Sequence, residues 1–133
     1  MSEFITLHDI DRAADAIKSR INIKPQVGMI LGSGLGDLAE SVEEPTIIPN
    51  MEIPCWPLST VHGHKGRLVI GKLEGVNVLV LQGRTHFYEG YSMGHITLPV
   101  RVMQRLESIL RRRRMLLAAC RRASRTSMRR WWR

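Results

Sequence analysis

Residues 67–82 read RLVIGKLEGVNVLVLQ, and this stretch decides the fold. Two runs rich in Val, Leu and Ile flank the pair Glu74 and Gly75, a pattern typical of an antiparallel hairpin closed by a two-residue turn. The second run, residues 76–82, is apolar enough to be a central strand of a sheet.

The segments around this hairpin predict an α/β fold. Apolar residues at helical spacing indicate an amphipathic helix from Leu7 to Ile21, and residues 27–31 form a short apolar run typical of a buried strand. Residues 37–40 open a short helix, and another begins near Ser92. Four prolines between residues 45 and 60 indicate an ordered loop or an edge stretch. Helix, strand, hairpin and helix follow one another as in an α/β protein.

Length and composition indicate one soluble domain or part of a larger one. The chain has 133 residues, 44% hydrophobic and 24% charged. No apolar run approaches the roughly 18 residues that span a bilayer, and no signal peptide is visible at the N-terminus. Cys55 and Cys120 are the only cysteines, which is typical of a reducing compartment, so we expect a cytoplasmic location and no membrane partner.

The net charge of +8 arises at the C-terminal end. Residues 1–104 hold nine Lys and Arg against eleven Asp and Glu, whereas residues 105–133 hold eleven Arg, no Lys and one Glu. Arginine without lysine is typical of an out-of-frame reading of a GC-rich gene, so we interpret residues 105–133 as a frameshifted or truncated product. The alternative is a tail for nucleic acid or an anionic membrane, with Trp131 and Trp132 as anchors.

A glycine-rich turn, Gly-Ser-Gly-Leu-Gly at residues 32–36, follows the first strand. Glycines let the backbone turn sharply, so that several N–H groups and the Ser33 hydroxyl can converge on one oxyanion. The spacing differs from the dinucleotide fingerprint, and no Gly-Lys-Ser/Thr of a P-loop follows. A purely structural turn remains the alternative.

The loop after the second hairpin strand carries Arg84, His86, Tyr88 and Glu89. Ligands of open α/β sheets lie beyond the carboxyl ends of strands, where this loop belongs. If the loop is extended, the first three side chains point the same way. Arginine offers a charged fork to phosphate, and histidine offers a proton-tunable donor that Glu89 can orient. The alternative is a hairpin end whose charges are simply solvated.

A third polar segment, STVHGHKG at residues 59–66, contains two histidines. His62 and His64 at an i, i+2 step could bind a metal, but no carboxylate or cysteine lies nearby at ligand spacing. We therefore predict no metal site. A glycine-flanked loop that carries His64 to an anion is the better interpretation.

Three segments together resemble the trimeric purine nucleoside phosphorylases: VGMILGSGLG at 27–36, STVHGHKG at 59–66, and QGRTHFYEGY at 82–91 with PVRVM at 99–103. Their order and spacing agree over about residues 5–104. The related methylthioadenosine phosphorylases share the architecture but differ in these loops. The resemblance implies a phosphorylase-type mixed sheet flanked by helices, present here as its N-terminal half in residues 1–104. It also implies that the central strand takes neighbours partly from the absent half.

The resemblance further implies phosphorolysis, in which inorganic phosphate cleaves a purine ribonucleoside or deoxyribonucleoside to the free base and ribose 1-phosphate. It implies a homotrimer, no metal and no organic cofactor. His86 and Glu89 would be catalytic, with Glu89 orienting His86, and Tyr88 would pack on the ribose. The phosphate-binding residues would be Ser33, His64, Arg84 and His86.

The resemblance ends after Gln104. The family's base-binding Glu and Asn, a second phosphate-binding Ser and a further His belong to the half that does not appear here, so we expect this chain alone to be inactive. The alternative functions are a phosphorylase-like domain repurposed to bind nucleic acid through the basic tail, and a relative of the methylthioadenosine phosphorylases. We expect that tail to bind nucleic acid only without specificity.

Overall fold

The computed structural model describes residues 4–32, 34–61, 65–107 and 114–116. Three helices and five strands lie within these residues, and two single-turn 3₁₀ helices lie at Asn50–Glu52 and Phe87–Glu89. In chain order the elements are α1 (Leu7–Lys18), β1 (Val27–Leu31), α2 (Gly36–Glu40), β2 (Glu43–Pro49), β3 (Arg67–Leu73), β4 (Val76–Gln82), α3 (Met93–Glu107) and β5 (Arg114–Leu116). None of the helices described is long and apolar enough to cross a membrane.

The strands form one mixed sheet in the order β2-β3-β4-β1-β5, so the predicted α/β fold is confirmed. β3 and β4 pair antiparallel from Arg67 opposite Gln82 to Leu73 opposite Val76, which is the predicted hairpin. β1 runs parallel to β4 and to β5. The proline-containing β2 lies at the edge of the sheet, where a missing N–H costs least.

β4 is central, as predicted, but the expectation that its neighbours come partly from outside these residues is wrong. It pairs with β3 on one side and with β1 on the other, and both strands belong to this chain. The physical reason lies in β1, since all five of its residues are buried and an interior place beside β4 covers them.

Two apolar layers cover the two faces of the sheet. Leu79 and Leu81 of β4 face a cluster that includes α1 and α3, whereas Val78 and Val80 face a cluster that includes Leu35 and Ala39 beside and within α2. This division follows from the alternation of side chains along a strand. The glycine turn and the short helix after it therefore share one face of the sheet.

α3 continues past residue 104, where the family resemblance ends. Arg105 forms an ion pair with Asp11 of α1, with 2.6 Å between its Nε and the carboxylate, and Leu106 is buried in the core. The boundary of the resemblance therefore lies inside a helix. Residues 108–113 and 117–133, which make up most of the arginine-rich segment, lie outside the described residues.

Gly71 of β3 has no room for a side chain. A Cβ there would lie 2.4 Å from the Glu43 carbonyl oxygen and 2.6 Å from Val42 Cγ1. We expect Gly71→Ala to lower the free energy of unfolding by about 1–3 kcal/mol, measured by urea denaturation. The matched control is Gly94→Ala in α3, where the nearest atom would be 3.5 Å away and helix propensity favours alanine by about 1 kcal/mol. Equal free energies of unfolding for the two variants would contradict the close packing at Gly71.

Candidate active site

Three predicted phosphate-binding segments meet at one end of the sheet. Leu31, the last residue of β1, lies opposite Gln82, the last residue of β4. Arg67, the first residue of antiparallel β3, lies opposite Gln82 on its other side. The glycine turn after β1, the loop after β4 and the segment that leads into β3 are therefore adjacent. Sheet register alone brings together stretches that are far apart in sequence.

The glycine turn is anchored to the sheet through Leu35. Its side chain is buried in the layer that α2 covers, and its N–H donates to the Gly32 carbonyl at 3.3 Å. Gly34 has a φ of 86°, a left-handed conformation that strongly favours glycine. The predicted ligand Ser33 lies outside the described residues, as do His62 and His64 of the third segment.

Arg84 and His86 follow β4 directly. The Arg84 side chain is exposed, and within the described part of the chain it forms no hydrogen bond or ion pair. The His86 ring stacks on the Tyr88 ring, with centroids 4.9 Å apart and planes 8° apart. Tyr88 is 75% exposed, so its outer face is accessible.

The prediction that the loop after β4 is extended is wrong from Phe87 onward. Phe87–Glu89 form one 3₁₀ turn, and Gly90 ends it with a φ of 87°. The alternation of side chains therefore cannot align Arg84, His86 and Tyr88 as predicted. His86 and Tyr88 come together by ring stacking instead.

Glu89 connects this loop to the segment before β3. Its carboxylate accepts hydrogen bonds from the backbone N–H groups of His86 at 2.7 Å and Thr60 at 2.6 Å. It also accepts from the hydroxyls of Thr60 at 3.1 Å and Ser59 at 3.3 Å. Burial acts to raise the pKa of Glu89, but these four donors, led by the Thr60 N–H, outweigh it and hold the pKa below its usual value.

Tyr91 contacts the segment before β3 as well, at Leu58, the residue that precedes Ser59. Its hydroxyl donates to the Leu58 carbonyl at 2.8 Å and accepts from the Leu58 N–H at 3.2 Å. We call the contacts of Glu89 and Tyr91 with residues 58–60 the loop clamp. The roles of Ser59, Thr60 and Tyr91 were not predicted, because nothing in the sequence links residues about thirty positions apart.

No set of three or more His, Cys, Asp or Glu side chains suited to a metal ion occurs among the residues described. The carboxylates of the site serve other contacts, since Glu89 is bound by the clamp and Glu40 by Lys65 and Arg67.

Comparison with known proteins shows which family these features match. No protein-family model matches the chain. The chain is 56% identical over 97 residues to purine nucleoside phosphorylase 1 of Bacillus subtilis, covering 73% of this chain and 36% of that protein. It is 45% identical over 106 residues to the purine nucleoside phosphorylase of Rattus norvegicus, covering 80% of this chain and 37% of that protein.

The fold gives the same answer. The solved structure of isoform 2 of the Schistosoma mansoni purine nucleoside phosphorylase, in complex with cytosine and ribose-1-phosphate, matches with a TM-score of 0.77 at 43% identity. The match covers 87% of this chain and 40% of that structure. The resemblance to the purine nucleoside phosphorylases is confirmed. The chain spans a little over a third of the length of the curated relatives named above.

The site residues implied by the purine nucleoside phosphorylase resemblance stay predictions, and the structure adds geometry to some of them. Arg84, His86, Tyr88 and Glu89 lie within one loop at the end of the sheet where the other predicted segments meet. The Glu89 carboxylate contacts the backbone N–H of His86 as well as Thr60. Glu89 is thus placed to fix the course of both loops at this end of the sheet.

The lowered pKa of Glu89 gives a pH prediction. A carboxyl whose pKa is depressed by folding stabilises the fold above its unfolded pKa of about 4.3, and this stabilisation is lost as pH falls through the lower folded value. We expect the amide resonances of Thr60 and His86, which donate to this carboxylate, to titrate below pH about 4.3 in NMR spectra. A midpoint at or above that pH would contradict the clamp.

Proposed function

We propose that this chain carries the phosphate-binding part of a purine nucleoside phosphorylase. The reaction is cleavage of purine ribonucleosides and deoxyribonucleosides by inorganic phosphate, giving the free base and ribose 1-phosphate. The observation that supports it most is the register of Leu31, Gln82 and Arg67, which brings the three candidate phosphate segments to one end of the sheet. The Schistosoma mansoni relative with ribose-1-phosphate is consistent with this chemistry.

The chemistry fits such a site because the reaction depends on positioning and charge. A transition state with ribosyl-cation character needs a phosphate dianion held close to the anomeric carbon. In this proposal Arg84, His86, Ser33 and His64 hold the phosphate, and Tyr88 packs on the ribose. His86 and Glu89 complete the catalytic set. Phosphate is a co-substrate, and the proposal includes no metal or organic cofactor.

The proposal extends to partners and location. The active form is a homotrimer in the cytoplasm, and the free thiol of Cys55 is consistent with a reducing compartment. The contacts that select a purine base lie outside the resemblance, so the chain by itself lacks them. Residues 105–133, with eleven Arg, bind polyanions without sequence preference.

Two measurements on the purified chain test this proposal. Calorimetric titration with inorganic phosphate should show saturable binding that sulfate displaces, because both are tetrahedral anions. Phosphorolysis of inosine should be at least about a thousandfold slower than in a full-length relative, because the groups that stabilise the leaving base are missing. Absence of saturable phosphate binding would refute the assigned site. Turnover comparable to the full-length enzyme would refute the inactivity of the isolated chain.

A further inference from the structure

One polar network connects the three segments that meet at this end of the sheet. Its centre is Gln82, only 5% exposed at the end of β4. The Gln82 Nε2 donates to the Gly36 carbonyl at 3.0 Å, and its Oε1 accepts from Arg67 Nε at 2.8 Å. The buried amide thus has a partner on both its donor and its acceptor, on α2 and on β3.

The network continues from Arg67 to the far end of α2. Arg67 Nη2 lies 2.8 Å from Glu40 Oε1, and Lys65 pairs with the same carboxylate oxygen. The helix is therefore held at its first residue by Gln82 and at its last by two cations. Lys65 directly follows His64 in the sequence, so the third segment is tied to the same helix.

α2 depends on such contacts because it has little stability of its own. It is five residues long, and Leu35 before it provides no side-chain cap. Isolated helices much shorter than about 12 residues are marginal in water. The apolar side chains of Leu35 and Ala39 attach it to the sheet, but the hydrophobic effect is non-directional. The hydrogen bond from Gln82 is directional and fixes where the helix, and the glycine turn before it, lie.

We propose that Gln82 is a positioning residue that sets the glycine turn at the distance from Arg84 needed to bind one phosphate. Gln82 precedes Arg84 by two residues, so the same backbone that presents the guanidinium also carries the amide that holds Gly36. A Cβ on Gly36 would come within 3.4 Å of the Gln82 Nε2, which shows how close the two segments are. The inference rests on the proposed function, because it concerns the geometry of that phosphate site.

The test uses Gln82→Leu in the full chain, which removes both hydrogen bonds and keeps a side chain of similar size. We expect hydrogen exchange of the amides in residues 34–40 to become about tenfold faster, since two hydrogen bonds of a buried amide are lost. Affinity for inorganic phosphate should fall about tenfold, measured by calorimetry. Exchange in β3 should stay slow. Gln104→Leu, which changes an exposed glutamine of α3, should alter neither quantity.

Glu40→Gln provides a second variant that leaves the buried amide intact. Because Glu40 is about half exposed, this change should not unfold the chain. We expect hydrogen exchange at residues 34–40 to become about threefold faster and the affinity for inorganic phosphate to fall about threefold. Unchanged exchange at residues 34–40 in both variants would overturn the inference. Faster exchange with unchanged phosphate affinity would overturn it as well. If the unaltered chain binds no phosphate, the proposed function fails, whereas the exchange data still decide whether Gln82 holds the turn.

Discussion

Replacing Arg84 by alanine is expected to weaken the binding of inorganic phosphate by about a hundredfold. A guanidinium that donates to phosphate forms charge-assisted hydrogen bonds, which contribute about 1.5–3 kcal/mol each, and tenfold in affinity corresponds to about 1.4 kcal/mol. The Arg84 side chain is exposed and forms no hydrogen bond or ion pair with the other described residues. The thermal midpoint of the free chain should therefore stay unchanged, which separates lost binding from lost folding.

Two further variants make the Arg84 experiment decisive. Arg12→Ala removes the same charge from an exposed position on α1, so it should retain phosphate affinity within about twofold. Arg84→Lys keeps the charge but loses the planar fork, and we expect an intermediate loss of about tenfold. If Arg84→Ala and Arg12→Ala weaken binding equally, phosphate is attracted by net charge and not by a site at the end of β4.

The hairpin was predictable because its signals are local. Glu74 and Gly75 both have positive φ, at 51° and 79°, which is the backbone that a tight two-residue turn between strands requires. This turn fixes the register in which the apolar runs on either side of it pair. The first strand followed from its short apolar run, and α1 followed from its helical spacing; in the structure Thr6 caps its start.

The second neighbour of β4, the parallel strand β1, was not predictable in the same way. β1 and β4 are separated by more than forty residues, and only tertiary packing puts Val27 opposite Val78. The amide of Gln82 and its acceptor Gly36 are 46 residues apart, and the Glu89 carboxylate and Thr60 are 29 apart. Periodicity and turn residues carry no information about such pairs.

The candidate site shows the same division between local and distant information. Arg84, His86, Tyr88 and Glu89 came from residue types at short spacing and from the family resemblance. The extended geometry assumed for them was wrong because the chain forms a 3₁₀ turn at Phe87–Glu89. The clamp also uses Tyr91, which belongs to the matched motif but had no assigned role. A sequence motif identifies the residues of a loop, but their contacts depend on which distant segments pack against the loop.

Replacing Glu89 by glutamine is expected to open the loop clamp. Glutamine has one acceptor oxygen where the carboxylate has two, and its NH₂ group would face donors of Thr60 or His86. We expect the local free energy of opening at residues 58–61 to fall by about 2 kcal/mol, measured by hydrogen exchange. Phosphate affinity should fall about tenfold, since the clamped segment leads into His64 and the N–H of either Thr60 or His86 loses its acceptor.

The matched control for Glu89→Gln is Glu74→Gln at the tip of the hairpin. Glu74 is exposed and forms no hydrogen bond or ion pair with the other described residues, so the same change of charge should leave exchange and phosphate affinity as they were. These measurements separate the two proposed roles of Glu89, which are to orient the His86 ring and to hold the loop clamp. A carboxylate that acts on the His86 ring would alter the pH profile of phosphate binding and leave the amide of Thr60 protected. Loss of that protection together with affinity requires the clamp, because only the clamp connects Glu89 to both segments.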